Sequence, residues 1–252
     1  MKGMFAYVLD GYDRQARLYP ALLCFIPVVA VATGIYGAEF SISKGLVSLA
    51  VSFGFIALLI SIARDSGKKL EPKLFADWGG KPTTQLLRHR NTTVDTVTKK
   101  YYHCFLEKHL GVIFPSPDEE MREPQNADDK YEAGTRWLIE KTRDTKKFPF
   151  IFRENVNYGF RRNCLGLKPV GLLGSFLGML WILGATKVIT LNSISWSRFE
   201  AIEVGAKIAF LVCVLLFAMW SLYITGSSVR RVAFVYGDML LRACDKLPKK
   251  RS

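Results

Sequence analysis

Four long apolar stretches, set in two pairs, constrain this chain more than any other feature. Leu18 to Tyr36 is followed closely by Leu46 to Ala63, and Pro169 to Leu191 by Ile208 to Ile224. Each approaches the ~20 residues that a helix needs to cross the hydrocarbon core of a bilayer. None holds Asp, Glu or Arg; Lys187 stands near the end of the third, and Lys207 just before the fourth can snorkel outward or pair with Glu203. Four membrane-spanning helices in two hairpins are therefore predicted. The first run begins only at Leu18, after Asp10, Asp13, Arg14 and Arg17, and ends without an Ala-x-Ala site, so it is read as a retained span and not as a signal peptide.

The charge distribution orients the spans. The turn Gly37 to Lys44 and the turn Asn192 to Glu203 are not basic. From Arg64 to Lys168 there are 21 Lys and Arg against 15 Asp and Glu, and from Gly226 to Ser252 seven against two. The positive-inside rule places both termini and the long central segment in the cytoplasm, and the span ends carry the interfacial aromatics Tyr19, Tyr36, Trp196, Trp220 and Tyr223. The chain is expected to be a multi-pass membrane protein. Five cysteines at 24, 104, 164, 213 and 244 form no CxxC pair and none falls in an outer turn, so neither disulfides nor a cysteine metal site are expected.

The predicted fold is all-α. Residues 1–63 form an N-terminal cytoplasmic segment and the first hairpin, 64–168 a mostly helical cytoplasmic domain inserted between the hairpins, 169–225 the second hairpin, and 226–252 a cytoplasmic amphipathic helix with a basic tail. Within the inserted domain, Thr92 to His109 has a capping-type start and an apolar face of Val97, Tyr101, Phe105 and Leu110. Ala127 to Arg143 opens on Asp128 and Asp129 and closes on Lys141 and Arg143, the charge order that suits a helix dipole. Pro115 to Glu120 reads as a loop. Phe152 to Leu165 leads across Pro169 into the third span. Val229 to Leu247 places Val232, Val235, Met239 and Ala243 on one side, facing lipid or the soluble domain.

No catalytic set is visible, and no cofactor or metal is expected. Gly79-Gly80-Lys81-Pro82-Thr83-Thr84 lacks the first glycine of a phosphate loop and has Pro82 where a Lys-Ser/Thr pair belongs; it reads as a turn, with an anion-holding nest beside Lys81 as the lesser alternative. His103 and His109 are six apart and point in different directions on a helix. The spans carry no carboxylate or histidine, which argues against an intramembrane protease or proton-coupled carrier. The chain is not read as an enzyme.

Two constellations remain. Gly174 and Gly178 stand in the small-xxx-small spacing that lets helices approach closely, and predict self-association through the third span. A pore built between subunits fits spans this apolar, lined by Ser175, Ser52, Ser61 or Thr33. On the cytoplasmic side, basic and aromatic groups interleave: Lys99-Lys100-Tyr101-Tyr102, Arg136-Trp137, Arg143, Lys146-Lys147-Phe148, and Arg153 through Arg161 and Arg162. Cations that neutralise phosphates beside rings that stack on bases suit nucleotides and single-stranded nucleic acid. The overall charge of +13 has a second reading, as topology signal and anionic-lipid contact, which suits the tail Lys246, Lys249, Lys250 and Arg251.

Asn155 to Leu167 followed by Lys168-Pro169 and the glycine-rich span, with the opening Asp10-Gly11-Tyr12, Arg14 and Arg17 before Pro20, resemble the compact membrane effectors of bacterial anti-phage defence, Hailong-type channels in particular. The resemblance implies a homo-oligomer, with a tetramer among the possible assemblies. It also implies a nucleotidyltransferase partner whose single-stranded oligonucleotide holds the channel closed until infection removes it. Ligand contacts would then lie among Lys99, Lys100, Arg143, Lys146, Lys147, Arg153, Arg161 and Arg162. The alternatives are an effector that a cyclic nucleotide opens, and a membrane scaffold or sensor that recruits a cytoplasmic protein.

Overall fold

The computed structural model describes residues 11–37, 45–190 and 193–248, with the side chains of 45–55 and of Trp196 excepted. Asp10, the turn tip 38–44, Leu191, Asn192, the Ser52 side chain and the basic tail residues Lys249, Lys250 and Arg251 lie outside the described residues. What is described is helical, with no strand; Ile189 and Ile194 form an isolated antiparallel bridge. The chain divides into two compact units, Met1–Leu70 with Gly159–Val229, and Glu71–Tyr158 with Arg230–Ser252.

The first unit contains α1 (Tyr19–Tyr36), entered through a π-helical turn at Asp13–Leu18, and the leading part of α2 (Gly45–Trp78). It also takes the trailing part of α7 (Pro149–Ala185), the short α8 (Trp196–Glu200) and α9 (Val204–Ala218), which ends in a π-helical turn at Met219–Tyr223. Among the described residues three helices are long and apolar enough to cross a membrane: Asp13–Tyr36, Pro149–Ala185 and Val204–Tyr223. The other predicted span, Leu46 to Ala63, lies in α2, where side chains are described only from Ile56 onward.

The outer surface of this unit is apolar. Its buried residues mix small ones, among them Ala21, Ala63, Ala206, Ala209, Cys164 and Cys213, with Leu59, Leu167, Ile182, Trp220 and Ile224, while Val28, Leu173, Trp181, Leu211 and Leu222 are exposed. Small residues inside let helix backbones meet, and large apolar ones outside suit a hydrocarbon solvent. Gly34 of α1 lies against Gly205 and Ala209 of α9, where a Cβ would come within 2.7 Å of the Gly205 carbonyl oxygen. Gly166 crosses α2 so tightly that a Cβ would stand 2.5 Å from the Ser66 carbonyl carbon and 2.7 Å from the Gly67 nitrogen. The Trp220 ring fills the space left by Gly171. Lys168 donates to the carbonyls of Ser221 (3.1 Å) and Ile224 (2.9 Å), acceptors at the end of the π-turn that the helix itself leaves open.

The second unit has a conventional core. Its elements are the end of α2, α3 (Pro82–Leu87), α4 (Thr96–Leu110), α5 (Pro117–Arg122), α6 (Pro124–Lys141), the start of α7, and α10 (Gly226–Leu241) with its 3-10 extension Arg242–Asp245. Leu86, Leu87, Tyr102, Phe105, Leu106, Tyr131, Leu138, Leu240 and Leu241 are buried together.

The expected faces hold in part. In α4 Phe105 is buried and Tyr101 and Leu110 pack against the core as expected, Lys99, Tyr102, His103 and Leu106 complete the inner face, and Val97 is 78% exposed. In α10 and its extension Ala243 is buried and Met239 packs against the core as expected, Ala233 and Leu240 are buried too, and Val235 is exposed; the helix joins the second unit's core through Leu240 and Leu241. The acidic run Asp118 to Glu120 is helical, because Ser116 and Glu119 form a reciprocal capping box.

Candidate functional site

The segment Arg88 to Asn91 of the second unit is fastened from several sides. Arg88 reaches both carboxylate oxygens of Asp128 (2.8 and 2.5 Å) and donates to the Gly79 carbonyl (2.8 Å). The pairing with Asp128 raises its pKa further. The backbone N–H of His89 and the hydroxyl of Tyr131 both donate to the buried Glu120 carboxylate, at 2.7 and 2.8 Å. Lys99 donates to the carbonyls of Arg88 (2.8 Å) and Asn91. It is 3% exposed, and burial lowers its pKa. Lys99 thus holds the segment in place, whereas its neighbour Lys100 is exposed.

Gly79 and Gly80 have φ of 82° and 130°, conformations that favour glycine. The Arg88 guanidinium occupies the space that a Gly80 side chain would need. Lys81 pairs with Glu132 at 2.5 Å. With Glu132 and Asp128 alongside, this is a turn closed by ion pairs, and its surroundings do not suit an anion.

Arg143, Lys146, Lys147 and Arg153 flank the start of α7 in sequence. Arg143 pairs with Glu140 at 2.6 Å and Lys147 with Asp144 at 3.8 Å; these cations are 72% and 78% exposed. The Asp144 carboxylate accepts the backbone N–H groups of Lys147 and Lys146, which lowers its pKa. Arg153 pairs with Glu154 at 3.3 Å and lies over the Phe150 ring, 5.3 Å from its centroid. The Lys246 ammonium lies over the same ring at 5.8 Å. A small cleft beside it is lined by Phe148, Phe150, Ile151, Met239, Arg242 and Lys246. Lys246 is nearly a hundred residues from Phe150 in sequence, and no local spacing could have joined them.

Arg161 and Arg162 belong to the other unit. Arg161 donates to the Tyr223 hydroxyl and stacks over its ring at 4.6 Å, as an interfacial anchor would. Arg162 is buried beside Asn163, whose amide donates to the Ala16 carbonyl at 2.6 Å. Gly178 is packed against Cys213, Val31 and Pro27, and Gly174 stands near the Cys24 carbonyl. The close approach that their spacing predicts is made within the chain. Ser175 is buried with its hydroxyl donated to the Gly171 carbonyl, and Thr33 donates to Val29 in the same way; Ser61 is exposed.

Among the described residues no three His, Cys, Asp or Glu side chains come together as a metal would require. What the second unit offers chemically is an exposed set of guanidinium and ammonium groups around an open aromatic ring. No family model, curated protein or solved structure matches the chain.

Proposed function

We propose that this protein is a self-associating inner-membrane effector whose soluble unit holds a nucleotide or oligonucleotide, and whose membrane unit conducts ions between subunits when that ligand's occupancy changes. The observation that carries the reading is the apolar outer surface of the first unit. Val28, Leu173, Trp181, Leu211 and Leu222 face outward, and the buried polar groups Asp13, Arg162, Asn163, Ser175 and Ser228 all bond within the chain. With those groups engaged, a conducting path is expected where copies meet. Two hairpins, both termini in the cytoplasm and a partner enzyme that supplies the nucleotide complete the proposal, in keeping with the Hailong-type resemblance. The ligand acts by binding one of two pore states more tightly than the other.

The test is membrane potential, read with a voltage-sensitive dye in bacteria that express the chain alone. Depolarisation that is relieved or deepened by the paired charge reversals Lys146→Glu and Lys147→Glu supports a ligand-controlled pore. An unchanged potential in the wild type and in every such variant sinks it. A second reading, a scaffold that recruits a cytoplasmic protein, is favoured by Val97, Ile113 and Met121, which are 78%, 80% and 78% exposed on the soluble unit. Its signature is protein capture that is lost on changing these residues to Ser, with no effect on potential.

A further inference from the structure

Phe150 is the one large apolar side chain at the start of α7 that the fold leaves open. Its neighbours Phe148 and Ile151 are 9% and 8% exposed, whereas Phe150 is 51% exposed. Here two cations from separate parts of the chain, Arg153 and Lys246, are drawn over it by the ring quadrupole. Arg242 adds a third charge at the rim of the cleft. Arg153 and Arg242 are partly neutralised by Glu154 (3.3 Å) and Asp238 (2.9 Å), but Lys246 forms no ion pair with any described carboxylate. Burial raises the pKa values of Tyr101 and Tyr102, and the charge of the adjacent Asp245 raises them further.

An ammonium resting on an exposed aromatic face is held weakly. A phosphate offers it far more through charge-assisted hydrogen bonds. Once drawn to a phosphate, Lys246 uncovers the ring, which is then free to stack on a flat group carried by the same molecule. Met239 and Ile151 supply an apolar floor for that group.

We infer that the cleft between the start of α7 and the end of α10 binds a phosphate ester, with the phosphate on Lys246 and Arg242 and an attached flat or apolar moiety on Phe150. This rests on the reading above that the soluble unit holds a phosphorylated ligand, and it adds two groups from the C-terminal segment to the site. Soluble nucleotides and phospholipid headgroups share this chemistry, and the test separates them.

The full-length protein in an uncharged detergent is titrated against a fluorescein-labelled thymidine hexanucleotide, followed by anisotropy. Separately, it is reconstituted and scored for binding phosphatidylglycerol over phosphatidylcholine. Phe150→Ala and Lys246→Glu change exposed side chains and leave the core intact, and Phe150→Trp keeps an aromatic face. The expected result is hexanucleotide binding that Phe150→Ala weakens about tenfold, Lys246→Glu weakens at least as much, and Phe150→Trp retains. If the same two variants instead lose phosphatidylglycerol selectivity while the hexanucleotide never binds, the site stands with lipid as its ligand. Wild-type binding of either probe that both variants keep unchanged overturns the site and leaves the proposed function untouched. Absence of binding to both probes overturns the site together with the ligand-holding reading on which it rests.

Discussion

His103 shows how a polar residue becomes part of a core. It is 7% exposed, its Nε2–H donates to the Leu87 carbonyl at 2.8 Å, and its ring meets those of His89, Phe114 and Tyr131 at 4.9 to 5.4 Å between centroids. Burial pushes its pKa down from 6.5 to about 4, and the His89 and Lys99 charges push the same way. The folded value lies below the unfolded one, so the stabilisation is full above pH 6.5 and is lost as pH falls from there toward 4, reaching about 3 kcal/mol. Thermal unfolding followed by Trp137 fluorescence should show a midpoint several degrees lower at pH 4.5 than at pH 7.5. His103→Phe should flatten that difference, at a cost of about 1 kcal/mol at pH 7.5 from the carbonyl it leaves unpaired.

At the scale of elements, helix crossings set by glycine give the sharpest contrast. Gly166→Ala drives a Cβ into the backbone of Ser66 and Gly67, which cannot yield, whereas Gly184 has nothing within 4 Å. The first change should cost about 2 kcal/mol. The second should be neutral or stabilising by up to about 1 kcal/mol, since alanine is the better helix former. Thermal midpoints of the two variants in detergent should separate by several degrees.

Three of the apolar runs were legible because each is long and holds no Asp, Glu or Arg, and the shorter helices because their ends carry turn and cap chemistry. The inner face of α4 was legible only in part: Phe105 was, but Lys99 and His103 were not, since a hydrophobic pattern cannot find polar groups whose partners are distant carbonyls. The α5 helix could have been read from Ser116 and Glu119, a capping box that the acidic run around it obscured. Of the basic residues picked out for ligand binding, Lys146, Lys147 and Arg153 lie near Phe150 in sequence. Lys246 and Arg242 join Phe150 only through tertiary packing, and so escaped a local reading.

For the molecule as a whole, the cysteines provide a test of topology. Cys24, Cys164, Cys213 and Cys244 are buried and Cys104 is exposed on the second unit. Burial pushes the Cys244 thiol up to about 12, which removes it further from reaction. A membrane-impermeant maleimide should therefore label one thiol per chain in lysed cells and none in intact spheroplasts if that unit is cytoplasmic. Labelling of intact spheroplasts at Cys104, read by loss of signal in Cys104→Ser, would reverse the orientation.

The second unit draws its core from two distant parts of the chain: Leu240, Leu241 and Cys244 complete the cluster begun by Leu86 and Phe105, and the Tyr101 hydroxyl and a His109 ring nitrogen meet the carbonyls of Cys244 and Pro248. Ribosomes deliver these pieces in order. The segment Glu71–Tyr158 is made early and waits, its core open on one side, until Val204–Tyr223 has been synthesised and the last residues have emerged. The second unit can close only after the last long apolar helix exists, so a truncated or stalled product carries an unfinished domain that quality control can recognise.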